Sequence, residues 1–178
     1  MNKHLKHLCV VSVISVAAIM PTSVYAQASS PIACPDYKRG PTNIPGQKVG
    51  KKVGKALEAY NNDLIDEALN ILYEIDTSNT FDRAFTDRFI GNLLATQNGK
   101  AKQSIEYLQK SVAPGKLNDS EQVGTIKLIA DLSLQEEQYD SAIKYYNEWM
   151  KVTCKEDFDI YFRMANAYYQ TQKYAEII

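Results

Sequence analysis

Small residues recur along this chain at a nearly fixed spacing, inside segments with helical periodicity. Ala56 and Ala68 are 12 positions apart, Ala130 and Ala142 are also 12 apart, and Ala165 follows Ala130 by 35 positions. Apolar residues around them recur every three or four positions, which is the period of one helix face. Because a lone helix hairpin cannot bury its apolar stripe, the pattern predicts helix–turn–helix units of about 34 residues that stack and share a core.

The second unit contains one extra residue. Gly91 follows Ala56 by 35 positions, and its partner Ser104 comes 13 positions later, so the turn at residues 97–99 has to absorb the difference. From residue 49 onward Pro114 is the only proline, and no segment shows the sustained alternation that is typical of strands. We therefore predict an all-α domain with units at residues 49–83, 84–122, 123–157 and, incompletely, 158–178.

The first 26 residues have the layout of a secretory signal peptide. Lys3 and Lys6 supply positive charge, residues 8–20 are uncharged and mostly apolar, and Val24 and Ala26 offer small residues before a cleavage site. The apolar stretch is shorter than the roughly 20 residues that span a bilayer. We therefore expect cleavage near Ala26, a periplasmic or secreted protein, and no membrane insertion after cleavage.

Residues 27–48 contain four of the six prolines, so we expect an extended, irregular N-terminal tail there. After cleavage two cysteines remain, Cys34 in this tail and Cys154 in the helical region. An even pair in an oxidising compartment is typical of a disulfide. Spacing alone does not fix the geometry of a bridge, so two separate thiols remain the alternative.

The composition does not favour an enzyme. Both histidines, His4 and His7, lie in the leader, so the mature chain lacks histidine-based triads, general bases and metal ligands. It carries 18 basic and 21 acidic residues, which does not suggest a nucleic-acid-binding surface. No phosphate-binding glycine motif or metal-ligand spacing occurs. We predict a non-catalytic protein without cofactor or metal.

The repeating units resemble tetratricopeptide repeats. Ser133, Lys52 and Ile177 depart from the family pattern. The resemblance covers about residues 49–178 and implies a right-handed α-superhelix of about 3.5 helix hairpins. The matching residues of the third and fourth units are Ile126, Ile129, Ala130, Tyr139, Ala142, Tyr146, Trp149, Tyr161, Met164, Ala165, Tyr168 and Tyr174.

In tetratricopeptide arrays the first helix of each unit lines a concave groove, so the resemblance implies a protein or peptide partner there. Arg88, Asn92 and Arg163 match positions of the carboxylate-clamp subfamily, whereas Leu128 and Asp159 replace its asparagine and lysine, so a clamp is not expected. Ordinary exposed scaffold residues are the alternative interpretation. The implied groove residues are Tyr60, Phe85, Arg88, Asn92, Lys127, Asp131, Gln135, Phe162, Asn166, Tyr169 and Gln170.

Three stretches, residues 34–39, 128–151 and 161–174, resemble the periplasmic tetratricopeptide proteins that accompany TonB-type energy-transduction systems. This implies an envelope scaffold, an accessory of TonB-dependent transport. The alternatives are the N-terminal binding module of a longer envelope enzyme and an outer-membrane or cell-wall assembly factor. Because a solenoid end normally carries a polar capping helix, we expect further repeats after Ile178; the alternative is a short protein whose last hairpin frays.

Overall fold

A computed structural model describes residues 34–35, 42–173 and 175. These residues form seven α-helices and no strand, which confirms the all-α prediction. None of the described helices is long and apolar enough to cross a membrane. The predicted signal peptide, most of the predicted tail, Tyr174 and Ile177 lie outside the described residues. The helices are α1 (Gln47–Asn61), α2 (Ile65–Tyr73), α3 (Thr80–Ala95), α4 (Ala101–Val112), α5 (Asp119–Gln135), α6 (Tyr139–Thr153) and α7 (Phe158–Gln170).

The helices form three hairpins, α1–α2, α3–α4 and α5–α6, followed by α7. Each helix packs against the next one in the chain, most extensively within its own hairpin. The predicted unit starts at residues 84 and 123 lie one turn inside α3 and α5, whereas α7 begins at the predicted residue 158.

Polar side-chain caps explain where α3, α5 and α7 begin. The Asn79 side chain accepts the N–H of Asp82 at the start of α3, and Asp157 accepts two N–H groups at the start of α7. Asn118 and Glu121 form a reciprocal capping box before α5. Each cap satisfies backbone donors that have no partner inside the helix, so the chain enters α3 and α5 earlier than apolar periodicity alone indicates.

A left-handed residue recurs in the turn that follows each first helix. Asp63 (φ 60°), Gly99 (φ 73°) and Glu137 (φ 58°) connect the helices of the three hairpins, and Gln172 (φ 59°) has the same place after α7. This conformation is uncommon for residues other than glycine. The turns after α1, α5 and α7 share one geometry, with the left-handed residue two positions after the helix, whereas Gly99 lies four positions after α3 in a longer turn.

The predicted small residues lie where the paired helices cross. Ala56, Ala68, Ala130 and Ala142 are fully buried. In the second hairpin the Ser104 hydroxyl donates to the carbonyl oxygen of Gly91 at 2.7 Å, and a Cβ added to Gly91 would lie 2.6 Å from Leu108 Cγ. The crossing of α3 and α4 therefore leaves no room for a side chain at position 91.

Helix α3 joins the two apolar clusters of the core. Ile90, Leu93 and Leu94 pack with buried residues of α1 and α2, whereas Ala84 belongs to the cluster that extends through α4, α5 and α6 to α7. The first hairpin consequently depends on α3 for much of its apolar contact with the remaining domain.

The N-terminal segment contacts residues at the ends of the second and third hairpins. Cys34 and Cys154 form a disulfide with a Cα–Cα distance of 4.9 Å, directly after α6. Asn43 Nδ2 donates to the carbonyl oxygen of Lys116 before α5, and the N–H of Gly46 donates to Asp82 Oδ1 in the first turn of α3. Residues 34–35 and 42–46, the N-terminal strap, therefore contact the second and third hairpins before the chain enters α1.

Substituting Gly91→Ala should lower the free energy of unfolding by about 1–3 kcal/mol, because the new methyl group overlaps Leu108. Gly54→Ala is the matched control, since a Cβ there meets no atom within 4 Å and alanine favours the helix by about 0.5–1 kcal/mol. Urea unfolding measures both changes. Equal effects of the two substitutions would contradict the close crossing.

The disulfide closes a loop with a sequence separation of 120 residues. Loop-closure entropy predicts that the oxidised protein is more stable than the Cys34→Ser/Cys154→Ser variant by about 3–5 kcal/mol. Denaturant unfolding with and without reductant checks this value. Reductant should lower the stability of the natural sequence and leave that of the variant unchanged. An equal loss of stability in the variant would show that the disulfide is not the cause.

Candidate functional site

The predicted groove residues lie on the first helices of the hairpins and on α7. Tyr60 lies on α1 with 38% of its surface exposed. The remaining ten are here called the first-helix face. They are Phe85, Arg88 and Asn92 on α3, Lys127, Asp131 and Gln135 on α5, and Phe162, Asn166, Tyr169 and Gln170 on α7.

Asp131 is the centre of a charged network on this face. Its Oδ2 accepts from Lys127 Nζ at 2.8 Å, one helical turn away, and its Oδ1 accepts from the Tyr146 hydroxyl at 2.6 Å. Arg163 of α7 places a guanidinium nitrogen 3.8 Å from the same Oδ1. The carboxylate therefore connects α5 with α6 and α7.

Tyr146 of α6 donates a hydrogen bond to the network from the buried side of the helix pair. The residue is fully buried on α6, although its hydroxyl reaches Asp131. Burial raises the pKa of the Tyr146 hydroxyl well above its usual value, and the hydrogen bond and negative charge of Asp131 raise this pKa further, while Arg163 acts in the opposite direction. The hydroxyl consequently stays protonated and continues to donate to the carboxylate.

A second ion pair connects α3 with α5. Arg88 places a guanidinium nitrogen 3.4 Å from Glu121 Oε1, while Glu121 Oε2 accepts the N–H of Asn118 in the capping box. Arg88 Nε is buried and has no acceptor among the described residues. Two cations among the predicted groove residues, Arg88 and Lys127, thus have carboxylate partners within the protein.

Sequence reasoning missed Glu121 as a site residue. The spacing of Asn118 and Glu121, three positions apart before an apolar run, is the signature of a capping box and could have indicated its position. Its contact with Arg88 depends on how α3 and α5 pack, which no local pattern encodes.

Aromatic side chains on α7 form the most exposed apolar part of the first-helix face. Phe162 is 79% exposed and Tyr169 is 62% exposed. Phe158, one turn before Phe162, is 94% exposed and was not among the predicted residues, although its spacing of four from Phe162 could have indicated it. Exposed side-chain amides of Asn166 and Gln170 lie beside this aromatic stripe, which is defined as Phe158, Phe162 and Tyr169.

Phe85 and the two departures from the carboxylate-clamp pattern differ in accessibility. Phe85 is half-buried, and its ring centroid lies 5.8 Å from that of Phe81 on the same helix. Leu128, at a position where a carboxylate clamp needs asparagine, packs against the apolar core. Asp159, at a position where the clamp needs lysine, is exposed. Of the two residues that depart from the clamp pattern, Leu128 is thus packed against the core and Asp159 is exposed to solvent.

Comparisons with known proteins identify no relative: no family model matches the chain, and no curated protein matches it. Within the described residues no cluster of three or more histidine, cysteine, aspartate or glutamate side chains could hold a metal ion. The geometry of the first-helix face therefore provides the basis for a functional argument.

Replacing Tyr146 by phenylalanine should lower the free energy of unfolding by about 1.5 kcal/mol, because a buried hydrogen bond to a carboxylate is lost. The expected loss is at the low end of the range for such a bond, because Asp131 is partly exposed and its ion pair with Lys127 remains in the variant. Tyr139→Phe is the control, since the Tyr139 hydroxyl makes no hydrogen bond within the described part of the chain. Equal urea midpoints for the two variants would show that the Tyr146–Asp131 contact contributes nothing.

Proposed function

We propose that this protein is a non-catalytic tetratricopeptide-repeat scaffold that binds an extended segment of a partner protein on the first-helix face. The aromatic stripe of α7 carries this proposal. Phe158, Phe162 and Tyr169 expose large rings along one helix, next to a charged network in which Lys127 and Arg163 share the carboxylate of Asp131. Solvent-exposed aromatic side chains in a row are typical of interaction surfaces.

Three features support the assignment to the tetratricopeptide class. Small residues occupy the helix crossings of all three hairpins, and a left-handed residue recurs after α1, α3, α5 and α7. Ion pairs from Arg88 to Glu121 and from Asp131 to Arg163 join neighbouring first helices side by side. A stack of such hairpins places successive first helices along one face, which is the arrangement that the proposed groove requires.

The chemistry of the face favours an apolar or aromatic peptide segment. Burying one large apolar side chain contributes roughly 1.5–3 kcal/mol, so two aromatic anchors supply most of the affinity expected for a short peptide. Asn166 and Gln170 offer amide donors and acceptors for the peptide backbone. Because Lys127 and Arg88 already have carboxylate partners, the attraction of either cation for an acidic peptide is reduced.

The disulfide supports a location outside the reducing cytosol. Bridges such as Cys34–Cys154 persist in oxidising compartments, as expected for a protein exported with a cleaved signal peptide. We therefore propose that the partner is a protein of the cell envelope. The resemblance to TonB-associated periplasmic proteins makes TonB-dependent transport the first system in which to test such a partner.

Peptide display on the purified protein tests the proposal, because random peptides sample many partner sequences at once. Peptides of about 12 residues, selected on the immobilised oxidised protein, should be enriched in aromatic and aliphatic residues. Phe162→Ser/Tyr169→Ser should weaken their binding by at least about ten-fold, because more than 1.4 kcal/mol of apolar burial is lost.

The matched control is Leu57→Ser/Leu64→Ser, which removes exposed apolar surface from the first hairpin. Circular dichroism and melting should be unchanged in both double variants, since the substituted side chains are exposed. Selected peptides that bind the Phe162→Ser/Tyr169→Ser variant as tightly as the natural sequence would refute the proposed binding face.

A further inference from the structure

A separate cleft lies between the end of α2, the middle of α3 and the second half of α4. At 100° per residue, the α3 residues that line it, Arg83, Asp87 and Ile90, project from the side of α3 opposite to Arg88 and Asn92. The cleft is therefore distinct from the first-helix face. It has a volume of about 260 Å³ and is lined by Tyr73, Arg83, Asp87, Ile90, Tyr107 and Lys110.

An internal ion pair forms one wall of the cleft. Arg83 places one guanidinium nitrogen 3.0 Å from Asp87 Oδ1, and its other terminal nitrogen donates to the carbonyl oxygen of Ile75 at 3.1 Å. The Asp87 residue is only 6% exposed. Arg83 and Asp87 therefore neutralise each other, and neither one determines the net charge of the cleft.

Lys110 adds a second positive charge to the cleft, and this charge acts on Asp87, although no carboxylate of the described residues forms an ion pair with its ammonium group. The ammonium group lies 5.0 Å from the centroid of the Tyr107 ring, a cation–π contact that provides no hydrogen-bond acceptor. No hydrogen bond or ion pair of Lys110 is found within the described residues. An ammonium group with three unused donors is thus held at the entrance of a small cleft.

Two phenol groups add further donors. The ring centroids of Tyr73 and Tyr107 are 6.0 Å apart, and neither hydroxyl makes a hydrogen bond to a described residue. Burial raises the pKa of the Tyr73 hydroxyl, with a smaller effect from Tyr107, so this phenol stays protonated and able to donate. The two rings also give the cleft apolar walls against which the methylene groups of a ligand can pack.

We propose that this cleft binds the carboxylate of an acidic side chain from a partner protein. Lys110 supplies the opposite charge, the hydroxyls of Tyr73 and Tyr107 donate hydrogen bonds, and the two rings contact the side-chain methylenes. Two cations and one carboxylate line the cleft, so it carries one net positive charge, which matches a carboxylate. A phosphate dianion would need a second unpaired cation, and Arg83 is already paired with Asp87. The volume suits a single side chain, because sites for larger ligands have about 300–1,000 Å³.

The cleft gives the scaffold a second recognition surface, on the side away from the proposed peptide groove. Its occupancy does not depend on the first-helix face, so its test is separate from that of the peptide groove. The carboxylate of an acidic residue accepts charge-assisted hydrogen bonds, which are stronger than hydrogen bonds between neutral groups.

Titration with two matched tripeptides, followed by ¹H–¹⁵N NMR, tests the proposal directly. Acetyl-Gly-Glu-Gly-amide should produce saturable shifts at Tyr73, Tyr107 and Lys110, with a dissociation constant on the order of millimolar. Acetyl-Gly-Gln-Gly-amide, which lacks the charge, should not. Inorganic phosphate at the same ionic strength distinguishes a carboxylate site from a general anion site.

Lys110→Gln should weaken binding of the glutamate peptide by at least about ten-fold. Lys144→Gln is the matched control, because Lys144 also lies 5.0 Å above a tyrosine ring, that of Tyr145 on α6, but does not line this cleft. Both lysines are exposed, so both variants should fold. Equal shifts from the two tripeptides, tighter binding of phosphate, or unchanged binding by the Lys110→Gln variant would each overturn the carboxylate assignment.

Discussion

The close crossing of paired helices at small residues is the contact on which the whole architecture depends. At Gly91 and Ser104 the backbones of α3 and α4 approach until a serine hydroxyl bonds to a backbone carbonyl oxygen and a methyl group no longer fits. Fully buried alanines fulfil the same role in the other hairpins. Hairpins held this closely can stack, and stacking brings successive first helices side by side.

Both proposed binding regions follow from the position of α3 in this stack. One side of α3 places Arg88 against Glu121 of α5 and contributes to the first-helix face, while the other side places Asp87 in the cleft beside α4. On the first-helix face Arg88 and Lys127 have carboxylate partners, and in the cleft Arg83 has one. The exposed α7 rings and the Lys110 ammonium are therefore the groups on which the proposed partner chemistry rests: apolar side chains on one face and a carboxylate on the other.

The sequence predicted the helical class and the small residues at the crossings, because both depend on local periodicity and side-chain size. It did not predict the partners of Arg88 and Asp131, because ion pairs between first helices depend on the packing of neighbouring hairpins. The predicted repeat units begin one turn inside α3 and α5, and the caps Asn79 and Asn118 are a signal from which a sequence can reveal where these helices begin. The pairing of Cys34 with Cys154 stayed open in the sequence because a bridge needs Cα atoms a few ångströms apart, a distance that spacing along the chain does not determine.

Site-specific photo-crosslinking in the producing cells tests the central claim, partner binding on the first-helix face, most directly. Probes replace Gln135 and Asn166, which are exposed on α5 and α7, and a control probe replaces Asn147, which is exposed on α6. We expect the two face probes to capture the same envelope protein through one contiguous segment of its chain, and the Asn147 probe to capture no such adduct. Adducts with that protein only from Asn147, or from none of the three positions, would contradict this account.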